Sequence, residues 1–152
     1  MSENHLRQLE ARGVNVWLDG VTRGEITGGL VLRLIDEDGI SGITTNPSTF
    51  EKAISTTTDY DQDIKDFALQ GWDAQRIVDA LVVDDVQGLA DDLRLLWDRT
   101  NGKAGYVSVE VSPRLARDTE GTIQEAHRLW DLINRPNLMV KIPGTVEGVG
   151  AI

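Results

Sequence analysis

The 152-residue sequence has no cysteine and only two histidines, His5 and His127. The absence of cysteine excludes disulfide bonds, thiolate zinc sites and cysteine nucleophiles. Two histidines leave little material for a histidine metal site or a Ser-His-Asp triad. Any catalytic chemistry therefore rests on other residue types, and we expect no bound metal.

Basic residues are scarce and long apolar runs are absent. The sequence has 15 Lys and Arg against 25 Asp and Glu, which gives a formal net charge of −10. This balance argues against nonspecific nucleic-acid binding, which needs cations to neutralise phosphates. No apolar run approaches the ~20 residues of a membrane span, and the first residues do not have the pattern of a secretion signal. We therefore expect a cytoplasmic protein that binds neither nucleic acid nor membrane.

Apolar periodicity predicts alternating strands and helices. Four segments have the period of a strand: residues 14–19, 42–46, 106–111 and 138–142. Helical spacing is found in residues 3–12, 30–36, 47–101 (with breaks at 56–58 and 71–72) and 119–133, and residues 22–29 are predicted to form a loop. Ser2, Pro47 and Asp73 are predicted to begin helices. This order favours parallel strands joined by right-handed crossovers.

An acidic run at residues 59–63 has some likeness to a calcium loop. An EF-hand needs Gly at its sixth position and Glu at its twelfth, and these positions hold Ile64 and Gln70. Acidic residues also stabilise the start of a helix through its dipole. We therefore predict a helix start here rather than a calcium site.

Strand parity places polar groups on one face of the sheet, because side chains alternate along a strand. These groups lie near the carboxyl ends of the four predicted strands: Asp19, then Thr44 and Asn46, then Ser108 and Glu110, then Lys141. A sheet buried on both faces would instead be almost continuously apolar. Polar groups at this end are typical of the active site of a (β/α) barrel or an open α/β sheet. Asn46 precedes Pro47, so it also has the position of a helix cap.

Lys141 is the only one of four lysines that lies inside an apolar strand. A buried ammonium is rarely without a partner, so one interpretation is an ion pair with Asp19 or Glu110. The other is catalytic. Burial favours the neutral amine, which can attack a carbonyl carbon and form a Schiff base.

The motifs around these residues resemble those of the transaldolases. Residues 42–50 (Gly-Ile-Thr-Thr-Asn-Pro-Ser-Thr-Phe) are similar to a signature of the family, and residues 137–145 resemble the segment around its Schiff-base lysine. Residues 108–115 resemble the segment of its catalytic glutamate, and residues 17–19 that of its catalytic aspartate. The motif order is the same, and the style is nearest to the longer bacterial members.

The resemblance implies an α/β fold, the (β/α)8 TIM barrel. Such a barrel has eight strands and typically about 250 residues, whereas this sequence has four predicted strands. We therefore expect residues 1–152 to form a single partial domain, the N-terminal half of the barrel, truncated after strand 4. Residues 47–101 would be a helical insertion between strands 2 and 3. The arginines that grip the substrate phosphate in the family would lie on later strands.

The resemblance also implies an activity, the transfer of a dihydroxyacetone unit from a ketose phosphate to an aldose phosphate in the pentose phosphate pathway. Lys141 would form the Schiff base, Glu110 would help to expel the hydroxyl group, and Asp19 would take a proton. Asn46, with Thr44 and Ser108, would bind substrate hydroxyls. No organic cofactor or metal would be needed.

Two alternatives remain open at this stage. One is another Schiff-base aldolase, such as a fructose-6-phosphate aldolase, which the long helical insertion disfavours. The other is a half-barrel without catalysis that self-associates through its open edge strands.

Overall fold

The computed structural model describes residues 4–152, which form eight α-helices and four strands. In chain order they are α1 (His5–Ala11), β1 (Val16–Asp19), α2 (Arg23–Thr27), α3 (Leu30–Arg33), β2 (Ile40–Thr44), α4 (Pro47–Thr56), α5 (Asp61–Leu69), α6 (Ala74–Arg99), β3 (Tyr106–Glu110), α7 (Thr119–Ile133), β4 (Leu138–Lys141) and α8 (Val146–Val149). A π-helical turn covers Leu34–Asp38, and a 3-10 turn covers Pro113–Leu115. No helix in the described residues is long and apolar enough to cross a membrane.

The four strands form one parallel sheet in the order β1-β2-β3-β4. Each strand follows helical structure, and β2, β3 and β4 each pair with the strand before them, as the βα order predicts. Within residues 4–152, β1 and β4 are the edges of the sheet. The α/β prediction and the parallel arrangement are therefore confirmed.

Helices cover one face of the sheet and form the main core. Strand residues Ile43, Val107 and Val109 are buried there. They pack with apolar side chains of the long helix α6, among them Leu89 and Leu93. Burial of these side chains is the main stabilising contribution, about 25 cal/mol for each Å² of apolar area removed from water. The alternate residues of each strand face away from this core.

Three helices, α4 to α6, form the predicted insertion between β2 and β3. Pro47 is the first residue of α4. Asp73 caps α6 by accepting a hydrogen bond from the amide of Arg76. Two acidic residues lie in the first turn of α5, Asp61 and Asp63. The prediction of an acidic helix start is therefore confirmed, and the described residues contain no cluster of His, Cys, Asp or Glu that could hold a metal ion.

The predicted loop at residues 22–29 is wrong, because it contains α2. The Thr22 side chain accepts a hydrogen bond from the Glu25 amide, and the Glu25 carboxylate accepts one from the Thr22 amide. This reciprocal capping box satisfies free amides at the helix start. It stabilises a helix of five residues despite the glycines around it.

Other predicted boundaries shift by one or two residues. The strands at 14–19 and 42–46 are observed at Val16–Asp19 and Ile40–Thr44, and the two later strands each end one residue earlier than predicted. The predicted helix at 30–36 is split into α3 and the π-helical turn. The predicted cap Ser2 lies outside the described residues, and Asn4 caps α1. The helix predicted at 119–133 has the predicted bounds.

Candidate active site

The predicted site residues lie together on the face of the sheet that is opposite to the main core. In the strand register, Asp19 is next to Thr44, and Thr44 is next to Ser108. Glu110 is next to Lys141, and this pair lies two residues closer to the carboxyl ends of the strands than Ser108 does. Paired residues of neighbouring strands point to the same face. Sequence parity therefore identified the correct face of all four strands.

Lys141 contacts two of the other predicted residues. Its Nζ donates a hydrogen bond to Thr44 Oγ1 at 3.0 Å and lies 3.3 Å from Glu110 Oε2. The Lys141 side chain is 34% exposed and that of Glu110 is 31% exposed. The predicted burial of the lysine is thus partial. Of the two carboxylates considered as its partner, Glu110 forms the ion pair.

Thr44 is the acceptor at the centre of this group. Besides the bond from Lys141, its Oγ1 accepts a hydrogen bond from Ser108 Oγ at 3.0 Å. Ser108 is almost fully buried. Thr44 Oγ1 thus connects the Ser108 hydroxyl with the Lys141 amine.

Asn46 joins the site to α4 through both ends of its amide. Its Oδ1 accepts hydrogen bonds from the Thr49 amide at 3.0 Å, from Thr49 Oγ1 and from Ser48 Oγ. Its Nδ2 donates to Asp19 Oδ1 at 3.3 Å. Because three donors converge on Oδ1, the amide orientation is fixed. Asn46 is thus a helix cap whose amide nitrogen is directed at Asp19.

Trp17 covers the sheet below the polar groups. It lies on the same strand face as Asp19, two residues earlier, and its ring crosses Gly42 of β2. A Cβ atom at position 42 would lie only 2.4 Å from Trp17 Cε2. Glycine is therefore needed there, because any side chain would collide with the indole. The indole thus lies over Gly42, on the sheet face that also carries Asp19 and Thr44.

A cavity of about 430 Å³ opens beside Asn46 and Glu110, among α4, α6 and α7. Its walls are mainly apolar and include Phe50, Val82 and Leu129. Lys141 and Asp19 do not line this cavity. The cavity therefore borders the candidate site at Asn46 and Glu110 and extends from there into the helical layer.

Arg23 and Asp85 form a charged cluster that the sequence analysis did not identify. Arg23 Nε donates to Asp85 Oδ1 at 2.6 Å, and Tyr60 Oη donates to Asp85 Oδ2 at 2.7 Å. Burial raises the pKa of Asp85, and these two hydrogen bonds oppose that rise. Burial likewise raises the pKa of the Tyr60 hydroxyl, and the bond to Asp85 adds to it. The Thr22–Glu25 spacing could have revealed the start of α2, but no local signal marks partners about 60 residues away.

Comparisons with known proteins agree with the resemblance in the motifs. A sequence model of the family described as Transaldolase/Fructose-6-phosphate aldolase matches residues 16–152. The chain is 45% identical over 148 residues to a protein of Thiobacillus denitrificans named Transaldolase. It is 45% identical over 147 residues to a Transaldolase of Thermobifida fusca and 43% identical over 148 residues to one of Mycobacterium marinum.

These alignments cover 97% of this chain in each case, but 41% of the Thiobacillus protein and 40% of the other two. The chain therefore spans about two fifths of the length of the curated relatives that it matches. The parallel strands, the helical insertion and the polar face all lie within the aligned part.

Proposed function

Because the chain belongs to the transaldolase/fructose-6-phosphate aldolase family, we propose that it carries the Schiff-base part of a transaldolase active site. The fold is α/β, with the four βα units of the N-terminal half of a TIM barrel. The observation that carries the proposal is the position of Lys141, whose amine lies 3.0 Å from Thr44 Oγ1 and 3.3 Å from Glu110 Oε2. An amine beside a carboxylate has the partners that imine chemistry needs.

The proposed substrates are sugar phosphates, and the reaction begins at Lys141. Glu110 takes a proton from the ammonium group, and the neutral amine attacks the ketose carbonyl carbon. The proton that Glu110 then holds helps, through a water, to expel the carbinolamine hydroxyl as water. The product is a protonated imine. A general acid of this kind contributes typically 10²–10⁴-fold in rate.

Asp19 then takes the proton of the C4 hydroxyl, and the C3–C4 bond breaks. The aldose phosphate leaves as an aldehyde, and the electron pair of the broken bond moves into the imine as an enamine. An acceptor aldehyde reverses these steps. With sedoheptulose 7-phosphate and glyceraldehyde 3-phosphate, the products are erythrose 4-phosphate and fructose 6-phosphate. The imine is the electron sink, so the proposed reaction uses no cofactor.

Asn46 supports this chemistry by its orientation. Its Nδ2 faces Asp19 while its oxygen is engaged by the start of α4. It therefore offers N–H donors to substrate hydroxyl oxygens and holds Asp19 near them. In the same proposal Thr44 and Ser108 bind substrate hydroxyls, and Thr44 also orients the Lys141 amine. A cytoplasmic location and a role in the pentose phosphate pathway go with sugar-phosphate substrates of this kind.

Borohydride trapping tests the proposal. Fructose 6-phosphate and borohydride are added to the 152-residue chain, and to a fusion in which the remaining part of the Thiobacillus denitrificans relative completes the barrel. We expect a sugar-derived mass on Lys141 in the fusion, and weak or no labelling of the chain alone. Lys141→Met should abolish the label, whereas Lys65→Met, at an exposed lysine of α5, should not. Labelling elsewhere, or none in the fusion, contradicts the proposal.

The family description also covers fructose-6-phosphate aldolases, and the products separate the two activities. An aldolase releases free dihydroxyacetone from fructose 6-phosphate without an acceptor. A transaldolase keeps this unit on the lysine until an aldose phosphate arrives. We expect the fusion to form sedoheptulose 7-phosphate when erythrose 4-phosphate is added and to release little free dihydroxyacetone, whereas rapid release of dihydroxyacetone without an acceptor would favour the aldolase.

Self-association of the chain is a further part of the proposal. Within residues 4–152, β1 and β4 have no outer neighbour in the sheet. Unpaired strand edges invite pairing with another chain. We expect sedimentation to detect dimers or larger species of the 152-residue chain, and a stable monomer would contradict this.

A further inference from the structure

We propose that Arg23 is a positioning residue for Asp19, because it ties the segment after β1 to the helical insertion. The inference rests on the proposed function, in which Asp19 is the base. Arg23 is the first residue of α2 and lies four positions after Asp19. Its contacts are with α5, α6 and the residue before α5, so its effect on the site passes through the backbone.

The Arg23 guanidinium contacts four side chains of the insertion. Its Nε donates to the buried Asp85 at 2.6 Å, its Nη2 donates to Asp84 at 3.1 Å, and its Nη1 donates to Asp63. The guanidinium carbon also lies 4.6 Å from the ring centre of Tyr60. All three guanidinium nitrogen atoms thus donate hydrogen bonds, each to a different aspartate. A lysine ammonium has no such planar fork and could not reproduce the set.

The connection between Asp19 and Arg23 is short and held along its length. The Gly20 amide donates to the Thr44 carbonyl at 2.9 Å, and Gly20 has a positive φ of 73°. Val21 is buried in the main core. The α2 capping box follows directly. A displacement of Arg23 would therefore move the short turn that leads back to the carboxylate.

Few contacts hold the Asp19 side chain in place. Asp19 is exposed, and within residues 4–152 its carboxylate accepts one side-chain hydrogen bond, from Asn46 Nδ2 at 3.3 Å. A single bond slightly beyond the usual 2.7–3.2 Å range does not immobilise a surface carboxylate. The position of this carboxylate is thus set mainly by its backbone. β1 holds this backbone on the N-terminal side of Asp19, and Arg23 holds it on the C-terminal side.

The first test measures hydrogen–deuterium exchange in the chain itself. In Arg23→Met we expect amides of residues 19–24 to exchange about tenfold faster, while residues 138–141 of β4 keep their rate. Arg23→Lys should give a large part of this increase. The control Arg94→Met removes an exposed arginine that pairs with Asp98 on α6, and should leave residues 19–24 unchanged. Equal exchange in Arg23→Met and the unsubstituted chain would overturn the proposal.

Tyr60→Phe is a second variant for the case in which Arg23→Met does not fold. It keeps the ring beside Arg23 and removes the hydrogen bond to Asp85. We expect faster exchange in the same residues, 19–24, by a smaller factor. A change spread evenly over the whole sheet would indicate a general loss of stability and would contradict a positioning role.

Kinetics of the completed barrel provide the second test. In Arg23→Met we expect kcat to fall about 10- to 100-fold, since small misplacements of a reacting group carry large losses in rate. KM should stay within about twofold, and borohydride trapping on Lys141 should persist, because imine formation precedes the step at Asp19. Parallel loss of trapping and kcat would overturn the proposal. If the unsubstituted fusion shows no trapping, the proposed function fails, while exchange still decides whether Arg23 holds the Asp19 segment.

Discussion

Lys141 Nζ and Thr44 Oγ1 lie 3.0 Å apart, although 97 positions separate the two residues in the chain. They belong to β4 and β2, which are not neighbours in the sheet. The hydrogen bond therefore crosses the intervening strand β3, where Ser108 donates to the same Thr44 oxygen. One hydroxyl oxygen thus links three strands at the Lys141 amine.

Thr44→Val should slow imine trapping on Lys141 in the completed barrel. The substitution keeps the shape and removes the acceptor, and a hydrogen bond to a charged group is worth about 1.5–3 kcal/mol. We expect a decrease of about 10- to 100-fold in the trapping rate, measured by mass spectrometry of the reduced adduct. Thr44→Ser should retain most of the rate.

Thr45→Val is the matched control for this prediction. Thr45 is buried on the opposite strand face, and its hydroxyl donates to the Ser108 carbonyl. Its substitution should lower the free energy of unfolding but leave the trapping rate almost unchanged. Equal loss of trapping in both variants would show that Thr44 acts through stability alone.

Substitutions of Asn46 should separate its two roles. Asn46→Ala removes the cap of α4 and should lower the free energy of unfolding by about 1 kcal/mol, measured by urea denaturation. Asn46→Asp keeps an oxygen for the cap but places a second carboxylate beside Asp19. We expect Asn46→Asp to fold as well as the unsubstituted chain and to lose turnover in the completed barrel. Normal turnover of Asn46→Asp would refute the proposed N–H donor role.

Gly42→Ala should destabilise the chain by about 1–3 kcal/mol, as overpacking does. The new methyl group would meet the Trp17 ring, which has to move. Thermal or urea unfolding measures the loss. Combination with Trp17→Leu should restore part of it, because the collision disappears, so the two substitutions should be non-additive. Strictly additive effects would show that the indole does not oppose the methyl group.

The stability contribution of Asp85 should depend on pH with a definite sign. Burial raises its pKa in the folded chain, so folding favours the protonated form. Relative to Asp85→Asn, the unsubstituted chain should be most stable below pH about 4, the usual range of an unfolded aspartate. That advantage should decline as the pH rises through the folded pKa. Urea denaturation of both variants over a pH series measures the difference.

The stability contribution of Asp91 should change with pH in the direction opposite to that of Asp85. Arg135 donates to both of its carboxylate oxygens and lowers the pKa of Asp91. The ionised Asp91 should add to the free energy of unfolding at pH values above the pKa of an unfolded aspartate. This contribution should disappear as the pH falls through the lower pKa of the folded chain. Because this pair lies at the surface, Asp91→Asn should cost at most about 1 kcal/mol near pH 7. The same pH slope for Asp85→Asn and Asp91→Asn would contradict the two assignments.

The sequence predicted those features that depend on local chemistry. Pro47 and Asp73 begin helices as expected, and the helix at 119–133 has the predicted limits because its apolar spacing is regular. The parity of each strand predicted which residues share the reactive face, even where a strand boundary was wrong by two residues. Parity survives such errors because it depends on odd or even position and not on where pairing ends.

Features that depend on distant partners could not be predicted. The start of α2 is a separate, local case, because its glycines favour a loop while the Thr22–Glu25 spacing favours a helix start. The contacts of Arg23 with Asp85 join positions 62 apart, and neither residue has a local pattern that indicates the other. Likewise, the sequence pattern places Gly42 in a strand without a reason for glycine, and the packing of the Trp17 ring explains why it lacks a side chain.

The shared register of the four strands has a consequence for insertions and deletions. Core and polar residues alternate on the same short strands, so loss of a single residue within β2 would reverse the facing of every strand residue on one side of the deletion. Loss of two residues would preserve the alternation but move Thr44 out of reach of Lys141. Neither change can be repaired by one later substitution. The strands should therefore tolerate changes of residue type far more readily than changes of length.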